Sequence, residues 1–122
     1  MPPTTPKPIR ILLFEDNLAD ADLVSEYLEQ ALPNYELCNV KRLGEGIEKI
    51  QSGNFEVILV DLSLPDSKGI ETLRAVREAA SETVIIILTG SDDEALSLEA
   101  LKAGAQDYLF KDKLSGEILR RS

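Results

Sequence analysis

The chain has 122 residues, which suits one compact domain, and 43% of them are hydrophobic, enough for a packed core. It has no histidine and one cysteine, Cys38, which excludes histidine-based catalysis, an intrachain disulfide and a zinc site built on thiolates. A formal net charge of −9 argues against direct binding of nucleic acid, and no apolar run approaches the ~20 residues that cross a bilayer.

The first third of the chain predicts a tail followed by a strand, a helix and a second strand. Residues 1–8 contain four prolines, and we expect them to form a flexible tail outside a domain that occupies residues 9–122. Residues 9–14 form a short apolar run that is typical of a buried strand. Apolar residues at helical spacing predict a helix over 18–32, and residues 36–40 predict a weaker strand at an edge of the sheet.

The middle of the chain predicts a helix, a strand and another helix. Apolar residues at helical spacing indicate a helix over 43–50, loosened by Gly44 and Gly46. Residues 55–60 are predicted to form a strand that runs directly into an acidic residue. A third helix is predicted over 70–80.

The last part of the chain predicts two strands and two helices. Residues 84–88 form the most apolar strand, which is therefore expected to be central. A helix around 96–101 is predicted to close at Gly104 in a C-terminal cap position. A fifth strand is predicted over 107–110, and a fifth helix over 115–121 is short, with about two turns.

Five strand–helix units with near-continuous apolar strands predict an α/β fold. Helices between such strands imply a parallel sheet that is covered on both faces. Right-handed crossovers and the chain length favour an open, doubly wound five-stranded sheet, because a closed eight-unit barrel needs about twice this length. We expect the strand order 2-1-3-4-5, with a ligand site where the order reverses, between strands one and three.

Polar residues follow four of these strands, at the carboxyl ends that meet along one edge of a parallel sheet. Glu15 and Asp16 follow the first strand, Asp61 follows the third, Thr89 the fourth and Lys111 the fifth. The predicted order brings the three carboxylates together and places the hydroxyl and the lysine beside them.

Three neighbouring carboxylates repel one another, and a hard divalent cation such as Mg²⁺ relieves that repulsion. The competing interpretation is that Asp16 or Asn17 only caps the first helix. The first loop, FEDNLADAD, has no glycine to hold a bare phosphate on backbone N–H groups, so it does not suit a dinucleotide. It suits a metal that accompanies a phosphoryl group.

Asp61 is the candidate nucleophile, because a carboxylate can attack phosphorus and form an acyl phosphate. Phosphoryl transfer needs neutralisation of the equatorial oxygens, and the Thr89 hydroxyl and the Lys111 ammonium could each bind one of them. Taken singly, Thr89 could instead cap the fourth helix, and Lys111 could be a solvated lysine.

Four motifs, ordered along the chain, resemble one known family. They are F-E-D at 14–16, D-L-S-L-P-D-S-K-G at 61–69, L-T-G at 88–90 and G-A-Q-D-Y-L-F-K at 104–111. Over roughly residues 9–121 the chain resembles the receiver (REC, CheY-like) domain of two-component response regulators. The resemblance implies a flavodoxin-like fold and a cytoplasmic signalling role, with no membrane contact and no direct nucleic acid binding.

The resemblance also implies the roles of the site residues. Asp61 would accept a phosphoryl group from a histidine kinase or a histidine phosphotransfer protein, without other enzymatic activity. Asp16 and Asp61 would bind Mg²⁺ directly, Glu15 mainly through water, and Ser63 through its backbone carbonyl.

The family's switch is implied to involve Thr89, which would move towards the phosphoryl group, and Tyr108, which would turn inward in response. The signalling face of the family is helix four, strand five and helix five, through which a second copy or an output partner would bind. In this chain the face would include Leu98, Lys102, Gln106, Tyr108 and Lys113.

Three departures from the family pattern carry expectations of their own. Asp112 follows Lys111 where the family usually has a proline, so we expect a trans bond or a strained loop there, since a cis non-proline bond costs about 3–4 kcal/mol. Gly90 stands where a small side chain is common. The short fifth helix suggests a piece of a longer protein, or a partner that covers an exposed apolar strip.

Two other functions are weighed against the receiver. An aspartyl-phosphate phosphohydrolase also uses a strand-end aspartate with Mg²⁺, but it places a second aspartate where this chain has Ser63. An unphosphorylated interaction module would keep only the fold, and the intact set of acids, Thr89 and Lys111 argues against it.

Overall fold

The computed structural model describes residues 8–32, 34–89 and 94–111, in which strands and helices alternate. The described strands are β1 Ile9–Phe14, β2 Tyr35–Val40, β3 Val57–Asp61, β4 Ser63–Leu64, β5 Ser67–Lys68, β6 Val84–Thr89 and β7 Asp107–Phe110. The described helices are α1 Leu18–Ala31, α2 Leu43–Ser52, α3 Ile70–Ala79 and α4 Glu94–Lys102. The predicted elements in these ranges are confirmed with small shifts at their ends. The tail up to residue 7 and the predicted fifth helix lie outside the described residues.

The five longer strands form one parallel sheet in the order β2-β1-β3-β6-β7. Strands β4 and β5 form a separate antiparallel hairpin, so the main sheet has the predicted order 2-1-3-4-5 when only its own strands are counted. The most apolar strand, β6, is interior but lies next to the edge strand β7, and the central strand is β3.

Helix α1 begins where the predicted cap stands. The Asn17 side chain accepts a hydrogen bond from the backbone N–H of Asp20 at 3.0 Å, which satisfies one of the open donors of the first turn. Ala21, Val24 and Leu28 then recur at helical spacing and are buried against the sheet. The cap therefore belongs to Asn17, which leaves Asp16 available for another role.

The two faces of the sheet are covered unequally by the described helices. Helices α2, α3 and α4 pack on one face around Leu12, Ile58 and Ile87. On the other face α1 packs on Ile11 and Leu59, and a groove of about 400 Å³ lies between α1 and the strands. Consecutive residues of β1 are buried on opposite faces, which explains why this strand is a continuous apolar run.

Gly46 contradicts the prediction that it loosens the second helix. A Cβ at this position would overlap the ring of Phe14, which is fully buried at the end of β1. The absence of a side chain therefore lets α2 approach the sheet closely. At Gly44 the nearest atom to an added Cβ is 3.8 Å away, so the two glycines have different roles.

Helix α4 ends as the sequence predicts. Gly104 has a φ of 116°, and the N–H of Ala105 donates to the carbonyl of Ala100 at 3.0 Å. This is the Schellman arrangement that favours glycine after a helix, and it turns the chain into β7.

Candidate functional site

The carboxyl ends of β1 and β3 bring three carboxylates together. One oxygen each from Glu15, Asp16 and Asp61 lies within 4.8 Å of the others. Glu15 and Asp61 are buried, and Asp16 is exposed, so the cluster opens to solvent on one side. Oxygen donors in this number and spacing fit a hard divalent cation that completes its coordination with water.

Lys111 lies directly against these acids. Its Nζ is 2.5 Å from Glu15 Oε1 and donates to Asp61 Oδ2 at 2.7 Å. A third contact, 2.9 Å to Asp20 Oδ2, comes from the first turn of α1. The ammonium therefore serves as the counter-charge of the acidic edge. The peptide bond to Asp112 lies outside the described residues.

The proton affinities of the site reflect this crowding. Burial raises the pKa of the Glu15 carboxyl from 4.5 to about 7, and the neighbouring Asp61 acts in the same direction against the Lys111 ammonium. Burial would lower the pKa of Lys111, but its contacts with Asp61, Glu15 and Asp20 outweigh burial and raise that pKa. The carboxylates of Glu15, Asp16, Asp20 and Asp61 outnumber the one ammonium among them. This excess of acidic groups favours a further cation.

The loop after β3 fixes the orientation of the Asp61 carboxylate. The backbone N–H of Ser63 donates to Asp61 Oδ1 at 2.9 Å, while Oδ2 faces Lys111. The loop is closed by the Gly69 N–H, which donates to the Leu62 carbonyl at 2.6 Å, and Gly69 has a φ of 69°, which favours glycine. The role of the Ser63 carbonyl as a metal ligand stays a prediction.

Thr89 and Tyr108 lie on neighbouring strands beside the acidic edge. Thr89 is buried at the end of β6, in register with Phe110 of β7. Tyr108 is half-buried, packs on the core and meets the Phe110 ring edge-on, with centroids 5.4 Å apart. The role of both residues in a switch stays a prediction.

The residues expected on the signalling face have different environments. Leu98 and Lys102 are exposed on α4. Gln106 is tied into the fold instead, because its side-chain oxygen accepts from the Ile85 N–H at 2.7 Å and from Arg77 at 3.0 Å. Gly90 and Lys113 lie outside the described residues.

The sequence interpretation did not identify two residues that shape the site. Asp20, which contacts Lys111, lies three residues after the cap of α1, so its position on that helix was a usable signal. Asp66 accepts hydrogen bonds from the N–H groups of Leu43 at 2.8 Å and Gly44 at 3.1 Å. It therefore caps α2 from a distant loop, and these bonds lower the pKa of its carboxyl. No local signal in the sequence connects these residues.

Fold and site together define a receiver-type α/β domain with an acidic edge that fits a divalent cation, and comparisons with known proteins identify its family. The response regulator receiver domain model matches residues 11–121. This match covers most of the chain, which therefore belongs to the response regulator receiver domain family of two-component signal transduction.

Two relatives and two solved structures illustrate the similarity. The chain is 36% identical over 93% of its length to the swarming motility regulation protein RssB of Serratia marcescens, of which it covers 51%. It is 34% identical over 93% of its length to the cell cycle transcriptional regulator CtrA of Caulobacter vibrioides, of which it covers 48%. The chain thus spans about half the length of these curated relatives.

Among solved structures, a CheY-like response regulator receiver domain protein from Methanospirillum hungatei JF-1 superposes with a TM-score of 0.79. The two are 30% identical, with 94% of this chain and 90% of that chain covered. The Mn²⁺-bound form of response regulator Rcp1 gives a TM-score of 0.77 at 25% identity, with 93% and 88% covered. Among the described helices, none combines the length and apolar character needed to cross a membrane.

Proposed function

We propose that Asp61 accepts a phosphoryl group from a histidine kinase or a histidine phosphotransfer protein. The observation that carries the proposal is the contact of 2.7 Å between Asp61 and Lys111 within a carboxylate cluster that fits a divalent cation. One oxygen of Asp61 attacks phosphorus, the bond from phosphorus to the histidine nitrogen breaks, and that nitrogen keeps the electron pair. The product is an acyl phosphate on Asp61.

The chain's own residues prepare this reaction. The Ser63 N–H holds one oxygen of Asp61, and the Lys111 ammonium offers a positive charge to a phosphoryl oxygen. Asp16, Asp61 and the Ser63 carbonyl would hold Mg²⁺ directly and Glu15 mainly through water, and the ion would supply further neutralisation of the phosphoryl oxygens. The Thr89 hydroxyl, at the end of the adjoining strand, donates to another of these oxygens.

Mass spectrometry with a small phosphodonor tests the assignment. Incubation with Mg²⁺ and acetyl phosphate is expected to add one phosphoryl group to the wild type and none to Asp61→Asn. Asp22→Asn, which changes an exposed carboxylate of α1, is the matched control and should be phosphorylated like the wild type. Equal labelling of Asp61→Asn would refute the proposal, and multiple turnover of phosphate esters would indicate a phosphohydrolase.

We propose further that phosphorylation acts through Thr89 and Tyr108 on the face of α4, β7 and the segment after it. Tyrosines labelled with fluorine allow ¹⁹F NMR of the three tyrosines of the chain, with the Tyr108 signal assigned by Tyr108→Phe. Beryllofluoride with Mg²⁺ should shift the Tyr108 signal more than that of Tyr35. An unchanged Tyr108 signal in phosphorylated protein would contradict the switch and leave phosphorylation itself intact.

The remaining assignments follow from this role. We propose that the receiver domain occupies residues 9–122 and works in the cytoplasm, where its kinase phosphorylates it; residues 1–7, predicted to belong to a tail, lie outside the described residues. The exposed Leu98 and Lys102 of α4 support contact with an output partner or a second copy through this face. Sedimentation with and without beryllofluoride distinguishes these two occupants.

A further inference from the structure

Asp20 lies outside the carboxylate group that suits a cation, yet it shares the Lys111 ammonium with two members of that group. Lys111 Nζ is 2.9 Å from Asp20 Oδ2, compared with 2.5 Å to Glu15 and 2.7 Å to Asp61. The contacts with Asp20 and Asp61 are hydrogen bonds, whereas the contact with Glu15 is an ion pair, so Asp20 supplies one of the two carboxylates to which the ammonium donates. Asp20 belongs to none of the family motifs in the sequence.

The position of Asp20 is fixed by the start of α1. Its backbone N–H donates to the Asn17 side chain at 3.0 Å, and the Asn17 N–H donates to Glu15 Oε2 at 3.2 Å. The Asp20 side chain is 35% exposed, whereas Lys111 is 17% exposed. Asp20 therefore reaches the ammonium from the rim of the site, on a helix that does not need to move.

The contacts of Lys111 respond differently to a divalent cation. A cation held in the cluster of Glu15, Asp16 and Asp61 would draw charge from the oxygens that hold the ammonium, and it would repel the ammonium directly. The negative charge of Asp20 remains available to attract Lys111, because Asp20 is not part of the cluster of Glu15, Asp16 and Asp61 that fits the cation. We propose that Asp20 is a positioning residue that holds the Lys111 ammonium beside Asp61 while a divalent cation occupies the site.

This inference rests on the proposed function for its consequence, since a retained ammonium is then ready to pair with the phosphoryl group on Asp61. Its central claim concerns cation binding, which can be measured without phosphorylation. A wild type that binds Mg²⁺ but takes no phosphoryl group would overturn the proposed function. The role of Asp20 in cation binding would still be tested by the Mg²⁺ titration.

A double-mutant cycle tests whether Asp20 acts through Lys111. Calorimetric Mg²⁺ titrations compare the wild type, Asp20→Ala, Lys111→Met and the double variant. With Lys111 present, removal of Asp20 should weaken Mg²⁺ binding about fivefold or more, because the displaced ammonium loses its partner. In the Lys111→Met background the same change should alter the affinity by less than about twofold. Asp22→Ala, on the same helix, serves as the control for loss of one negative charge.

Two results of the cycle would overturn the proposal. An equal factor in both backgrounds would mean that Asp20 acts on the cation only through its charge. An affinity that does not fall when Asp20 is removed would mean that the contact has no role in cation binding.

A second measurement does not depend on the Lys111 variant. In ¹⁵N-labelled wild type, the side-chain ammonium signal of Lys111 should remain observable after Mg²⁺ is added, because a held ammonium exchanges its protons slowly. In Asp20→Ala the signal should broaden on addition of Mg²⁺, and Asp20→Glu should restore it. Persistence of the signal in Asp20→Ala would contradict the proposal.

Discussion

The two ends of the sheet each hold a cation among several oxygens, and they differ in the charge of those oxygens. At the carboxyl end, Lys111 lies among carboxylates. At the amino end, all the acceptors of Arg77 of α3 within the described residues are neutral. These are the backbone carbonyls of Ala80, Ser81, Thr83 and Gly104 and the side-chain oxygen of Gln106.

The acidic carboxyl end is able to exchange one cation for another, whereas the contacts of Arg77 at the amino end are a structural connection. A carboxylate cluster can replace one cation with another, because its charge attracts any cation that fits. Backbone carbonyls at the end of a helix offer hydrogen-bond acceptors without net charge, and through them the Arg77 guanidinium joins the end of α3 to the turn before β7. The chemistry therefore belongs to the carboxyl end and the support to the amino end.

The largest expected effect comes from removal of the ammonium at the carboxyl end. Lys111→Met should lower the free energy of unfolding of the metal-free protein by about 3 kcal/mol, because it leaves buried carboxylates without their counter-charge. Saturating Mg²⁺ should recover most of this loss, since it binds the same carboxylates. Urea unfolding with and without Mg²⁺ measures both. If Mg²⁺ does not reduce this loss of stability, the carboxyl end does not exchange the ammonium for a divalent cation, and it does not differ from the amino end in that respect.

The second effect is expected at the amino end. Arg77→Ala should cost about 2 kcal/mol of stability, because several carbonyls lose a charged donor. Mg²⁺ should not restore this loss beyond its effect on the wild type, and the Mg²⁺ affinity should be unchanged. Arg74→Ala on the same helix is the matched control and should cost less than about 0.5 kcal/mol, since Arg74 forms an exposed ion pair with Glu71 and no other one among the described residues. Equal losses for the two arginines would contradict the structural role of Arg77.

A third change tests the apolar support beneath the carboxyl end. Gly46→Ala should destabilise the protein by about 1–2 kcal/mol, because the new methyl group overlaps Phe14 directly before Glu15. Gly44→Ala, two residues away on α2, should be neutral or stabilising, since its methyl group has room and alanine favours a helix. Thermal unfolding of both variants provides the measurement, and the opposite ranking would contradict the close approach of Gly46 to Phe14.

The smallest effect concerns the cap that the loop after Asp61 provides to α2. Asp66→Asn should cost about 0.5–1 kcal/mol at neutral pH, because the carboxylate of Asp66 accepts two N–H groups at a helix start. The folded pKa of Asp66 is lowered, so its contribution is present above the unfolded pKa of 3.8 and is lost as the pH falls through the folded pKa. Unfolding curves of wild type and variant should therefore converge as the pH falls through the folded pKa of Asp66. A constant difference at all pH values would exclude the charge of Asp66 as the cause.

The sequence was sufficient for the parts of the molecule that depend on strand direction. Parallel strands end at one edge, so Glu15, Asp61 and Lys111 were expected together before any side-chain position was known. The contacts that depend on three-dimensional packing were missed. Arg77 lies within the helix predicted over 70–80, but that pattern assigns it no partner, because its acceptors come from two turns that the sequence does not relate.

Gly46 and Asp66 are further residues whose roles depend on three-dimensional contacts that the sequence does not show. Glycine in a helical pattern lowers helix propensity, so Gly46 was interpreted as a weakness, whereas its absent side chain makes room for Phe14. Asp66 caps a helix that begins 23 residues earlier at Leu43, beyond the range of any local capping pattern.

The link between Asp66 and α2 also provides a way to observe the loop from a distance. The N–H groups of Leu43 and Gly44 exchange hydrogen with solvent only when the Asp66 carboxylate leaves them. Their exchange rates therefore report the opening of the loop that follows Asp61, on a helix that carries none of the reacting atoms. A rearrangement around Asp61 would thus be recorded as a kinetic signal at two amides of α2.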